Sequence, residues 1–205
     1  MNMPNILMET SYGYSSCRIE DSLMQQRAVL CFGAITPEQA DSLILQLLYL
    51  SAQSDQEITL YIHSPGGEVN SGFAIYDAMK LLGCPIRTVC VGNASSMAAL
   101  IFAAGDTRCI LPHGQVMIHD PLVQQVSGST MKIKDCADSL LRIRTEMAHI
   151  LSERTGRTVE EILEKTEQET TFSAPEAPMH LYLPGIQNPH PAHTLQRCHS
   201  DSHIL

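Results

Sequence analysis

From residue 29 onward short β-rich runs alternate with helical segments, and this alternation restricts the fold more than any other feature of the chain. The runs are "VLCFG" (29–33), "ITLYIH" (58–63), "RTVCVG" (87–92), "RCILP" (108–112) and "QVMIH" (115–119). Strands separated by helices predict an α/β fold with a largely parallel sheet and crossover helices. Between the first two runs, Thr36 can cap a helix, Pro37 suits its first position and Gln39 completes a capping box. Ala40, Leu43, Ile44, Leu47, Leu48 and Leu50 keep its helical period. A second helix is expected from Ser71 through Leu82, and a third from the paired serines 95 and 96 to about Ala104.

Beyond "QVMIH" a polar stretch leads into a long helical segment, "MKIKDCADSLLRIRTEMAHILSERTG", with Gly156 as its stop. Ile133, Cys136, Ala137, Leu140, Leu141, Met147 and Leu151 mark its apolar face. Such a face either packs on its own sheet or seeks a second chain. Thr158 with Glu161 opens a further helix by capping-box logic. Residues 178–205 are rich in proline and histidine, show no period, and read as a disordered tail after a single domain over 1–177. His190, His193, Cys198, His199 and His203 of this tail match no tight metal-binding spacing.

A net charge of −9 offers no basic stripe for phosphates, which argues against nucleic acid. No apolar run reaches the roughly 18 residues of a membrane span, and no secretory signal opens the chain. Seven scattered cysteines without a CxxC pair indicate neither a disulfide framework nor structural zinc. A cytoplasmic protein is expected.

The chemistry concentrates in "VGNASSMAAL" (91–100). A serine that opens a helix can be a simple N-cap. It can equally be a nucleophile, provided that a base, an orienting group and oxyanion donors lie within reach. The turn joins a β-rich run to a helix start, where backbone N–H groups carry partial positive charge. "HSPGGEV" (63–69) follows another β-rich run, and its glycines let a second N–H approach a ligand closely. For the base, His119 ends the fifth run, whereas His63 adjoins the glycine loop, His113 lies in a turn and His149 sits within the long helix.

The ordered run "LYIHSPGGEVNSGFAIYDAM", "GNASSMAALIFAAG", "LPHGQVMIHDPL", "ILSERTG" and "FSAPEA" resembles the proteolytic subunit of the Clp protease, the ClpP family, over roughly residues 15 to 177. The resemblance implies the crotonase-like ClpP spiral of parallel ββα units with a projecting handle helix around 131–155. It implies Ser96 as nucleophile, with Ser95 at a small spacer position, and His119 as base. The backbone N–H groups of Gly67 and Met97 become the oxyanion donors. Glu169 aligns with the family's aspartate, Asp120 replaces its usual glutamine, and Ala98 replaces a common glycine. No "YGLVDxI"-type segment follows Ala177.

On this basis the expected protein is a serine endopeptidase that assembles in heptameric rings, as a double ring. It would cut peptides alone and unfolded proteins when a hexameric Clp ATPase feeds them in, with no cofactor or metal of its own. A non-catalytic subunit of a mixed ring is the alternative, favoured by the non-standard acid. An acyl-CoA enzyme of crotonase type would explain the glycine loops but leaves the Ser96 and His119 pair without a use.

Overall fold

The computed structural model describes residues 4–11, 13–123 and 125–174. An antiparallel hairpin of β1 (Asn5–Thr10) and β2 (Gly13–Arg18) leads into a short helix, α1 (Ile19–Gln25). The alternating body follows: β3 (Ala28–Phe32), α2 (Pro37–Gln53), β4 (Ile58–Ser64), α3 (Val69–Leu81), β5 (Ile86–Ser95), α4 (Met97–Ala104), β6 (Thr107–Ile110) and β7 (Gln115–Ile118). Then come α5 (Thr130–Thr155), α6 (Val159–Glu167) and β8 (Thr170–Ser173).

The sheet runs β3-β4-β5-β7-β8, with β6 paired to β5 beside this path. All its pairs are parallel except β7 with β8. This is the expected α/β architecture, consistent with the crotonase-like spiral; β8 and the N-terminal hairpin are strands the alternation does not announce. In β5 the first half pairs with β6 over Arg87 to Cys90, and the end pairs with β7 over Asn93 to Ser95. Strand β5 therefore continues three residues beyond the "RTVCVG" run and delivers its last residue directly to the serine turn.

The core sits where α2, α3 and α4 close on the sheet. In β4, Ile58, Leu60, Ile62 and Ser64 alternate inward with no exposed surface. All eight residues of α4 are buried, so its sequence is apolar on every side. Each of Leu100, Ile101 and Phe102 contributes on the order of 1.5–3 kcal/mol by leaving water. At the far end of α4, Lys80 Nζ donates to Ala104 O (2.6 Å), Arg108 to Ala103 O (3.0 Å), and Arg154 to Ala103 O (2.9 Å) and Gly105 O (2.7 Å). These carbonyls have no intrahelical donors, and three cations supply them.

Helix starts follow the expected caps with one exception. Thr36 accepts from Gln39 N, but the Gln39 side chain donates to Phe32 O and does not close the box on Thr36. The Thr158–Glu161 box forms in both directions. In α2, Ala40, Leu43, Leu47 and Leu50 are buried, whereas Leu48 faces outward together with Leu45 and Tyr49. In α5 the packing is confined to the C-terminal end. Met147, Ala148, Leu151 and Thr155 are buried, while Ile133 and Leu141 of the expected apolar face lie exposed. Ser129 caps this helix and Gly156 ends it with φ 70°, in the left-handed region. None of the described helices is long and apolar enough to cross a membrane. The Pro/His-rich tail and its five candidate metal ligands lie outside the described residues.

Candidate active site

Three elements of the sheet end at one place. Ser96 follows β5 and its N–H donates to Met117 O of β7 (2.8 Å). His119 follows the last residue of β7. The antiparallel register ends at the pair Ile118 and Thr170, so His119 leaves β7 where Glu169, a turn residue with φ 48°, leads into β8.

Ser96 occupies the N-cap position of α4, but its side chain makes no capping hydrogen bond. Its backbone (φ 57°, ψ −125°) lies where L-residues are strained, at a cost of about 1–3 kcal/mol. Among the described residues only Arg27, Ser96 and Glu169 combine a side chain with positive φ. Two of these three are candidate site residues, and strain of this kind concentrates where function holds the backbone in place. Ser95, by contrast, is buried and accepts from Asn93 Nδ2 (3.4 Å). The cap and the nucleophile roles thus separate: position 96 begins the helix while its hydroxyl stays uncommitted.

The glycine loop lies against this turn. A Cβ on Gly66, which has φ +90°, would fall 2.6 Å from Ser95 O, 2.7 Å from Ser96 Cβ and 3.1 Å from Met97 N. Gly67 bridges Ile35 in parallel, through Ile35 N to Gly66 O and Glu68 N to Ile35 O. Both bonds use its neighbours, so the Gly67 N–H takes no part in the bridge. Met97 N–H belongs to the first helical turn, whose N–H groups have no intrahelical acceptor. The Met97 side chain is buried against Gly72 of α3, which leaves only its backbone for chemistry. Asn93 couples the loops, since Nδ2 donates to Ser64 O (3.2 Å) while Ser64 Oγ accepts from Gly66 N (3.1 Å). The sequence assigned the oxyanion role to Gly67 and none to Gly66, the first glycine of "PGG", or to Asn93.

His119 Nδ1 is buried and has no hydrogen-bond partner among the described residues. Glu169 is exposed, and no hydrogen bond joins its side chain to His119 Nδ1. Two neighbouring carboxylates meet Arg144, and Asp120 Oδ1 is buried without a hydrogen-bond partner among the described residues. Arg144 Nε of α5 contacts Asp120 Oδ2 at 2.6 Å, and its terminal nitrogen lies 3.8 Å from Glu167 Oε2. Thr166 O accepts from both Asp120 N (3.1 Å) and Glu169 N (3.3 Å), which ties the residue after His119 to Glu169.

Burial pushes the Cys31 thiol up to about 12 and that of Cys90 up to about 11, so neither is a thiolate near neutral pH. Among the described residues no three His, Cys, Asp or Glu side chains gather as metal ligands.

Fold and site together define an α/β protein of the crotonase-like spiral, with a strained serine turn and a glycine loop at the carboxyl ends of adjacent parallel strands. A model of the Clp protease family matches residues 11–180, and the chain belongs to that family. It is a ClpP-type peptidase.

Proposed function

We propose that the chain is the serine endopeptidase subunit of a cytoplasmic Clp protease. The observation that carries this reading is Ser96, held at positive φ at the head of α4 with its hydroxyl free of capping duty. Ser96 Oγ attacks the peptide carbonyl as His119 takes its proton, and the developing oxyanion is met by the N–H groups of Gly67 and Met97. His119 then protonates the leaving amine, and water, activated by the same imidazole, releases the acyl group from Ser96. Glu169, which makes no hydrogen bond to Nδ1 in the structure, orients the imidazole once it closes on that nitrogen. The subunits form heptameric rings stacked in pairs, with the exposed half of α5 as their contact. A hexameric Clp ATPase supplies unfolded proteins, so the subunit itself needs no cofactor.

A fluorophosphonate probe is expected to label Ser96 in the wild type and to leave Ser96→Ala unlabelled. Equal labelling of the two would overturn the assignment. Glu169→Gln is expected to lower kcat by roughly 10²–10⁴-fold, and Glu169→Asp to retain most activity. A glutamine variant as fast as the wild type would remove Glu169 from the triad.

The exposed Glu169 carboxylate and the unpartnered His119 Nδ1 favour a second reading, a weakly active subunit of a mixed ring. Under that reading the purified chain hydrolyses no peptide alone but enters rings with an active paralogue.

A further inference from the structure

We infer that Arg144, on the long helix α5, is a positioning residue for the base, acting through Asp120; this rests on the peptidase reading above. Asp120 directly follows His119, so what holds Asp120 also holds the base. Arg144 draws Asp120 Oδ2 to 2.6 Å while donating to Leu163 O of α6 at 3.3 Å, and leaves Oδ1 buried without a partner among the described residues. The pair is about two-thirds shielded, with side chains 26% and 31% exposed, so it is screened less by salt than a surface pair. The same guanidinium lies 3.8 Å from the exposed Glu167 carboxylate. The backbone bond from Asp120 N to Thr166 O ties the same segment to the end of α6, beside the Arg144 bridge. Asp120 stands where the resembling family has a neutral glutamine, which makes this charge pairing a property of the present chain. It links the base directly to the helix that projects from the body.

The test is a double-mutant cycle on a short fluorogenic peptide, with native mass spectrometry of every variant. Arg144→Gln is expected to lower kcat about tenfold and Asp120→Asn about threefold, each with KM within about twofold of wild type. Because the two side chains act as one unit, the double variant should be no slower than Arg144→Gln alone, whereas independent roles would give about a 30-fold loss. Wild-type kcat in assembled Arg144→Gln, or multiplicative losses, would overturn the inference. Should Arg144→Gln fail to assemble, the isosteric Asp120→Asn carries the test, and wild-type kcat there overturns it. Hydrolysis surviving in Ser96→Ala would sink the active site and the Arg144 role together. Hydrolysis lost in Ser96→Ala but unchanged in Arg144→Gln would sink the Arg144 role alone.

Discussion

Replacing Ser96 with glycine is expected to reduce kcat/KM for peptide hydrolysis by at least about 10⁴-fold and, at the same time, to raise Tm by roughly 2–4 °C. The loss follows from removing the nucleophile, since the remaining oxyanion donors and binding contacts give only residual catalysis. The gain follows from the backbone. At φ 57° and ψ −125° Ser96 stores about 1–3 kcal/mol, which glycine releases. The entropic cost of glycine, about 0.5–1 kcal/mol, offsets part of that. No cap is lost, because the Ser96 side chain makes no capping bond. A conventional N-cap serine would behave oppositely, losing about 1 kcal/mol or less on truncation and no activity. Thermal unfolding beside peptide kinetics decides between the two. A lower Tm with intact hydrolysis would return Ser96 to the role of a cap.

Gly66→Ala is expected to lower activity strongly although the residue performs no chemistry. Its φ of +90° strains any side chain, and the new methyl would sit 2.6 Å from Ser95 O and 2.7 Å from Ser96 Cβ. Both neighbours belong to backbone or to a Cβ, so neither can rotate away. The glycine loop and the serine turn must separate, and a shift of an ångström between nucleophile and oxyanion donors costs about 10²-fold or more in kcat. Overpacking adds about 1–3 kcal/mol of destabilisation. Gly83→Ala is the control: Gly83 has open space around its Cβ position, so stability and kcat should stay near wild type. If Gly66→Ala also kept wild-type kcat, the loop would not be adjoined to the reacting centre.

The layers of the fold were legible because apolar periods of two and 3.6 residues persist through a core that must be buried. Thr36, Gly156 and the Thr158–Glu161 pair act where their chemistry placed helix ends or starts, whereas the Ser129 cap of α5 was not among them. What stayed hidden was set by pairing across distance. Strand β8 is only four residues, and "TTFS" has no alternation of its own; β7 decides its state. Gln39 left its box because Phe32 O lay nearer in space than its own helix start. The exposure of Ile133 and Leu141 cannot be read from period alone, which marks a face without saying what covers it. At the site, Ser96 and the glycine loop could be named from the sequence, but Arg144 could not. Its partner lies 24 residues away, and nothing local distinguishes it from Arg142.

The three cations at the far end of α4 have an effect at its beginning. A helix dipole places about half a positive charge at its N-terminus and half a negative charge at its C-terminus. Burial, helped by neighbouring Arg154, pushes Arg108 down to about 10, so it stays charged near neutral pH and, with Lys80 and Arg154, cancels the negative end. What remains is a buried, one-ended source of positive potential aimed at the serine turn. In a chain of net charge −9, such a source is a local exception to the overall sign.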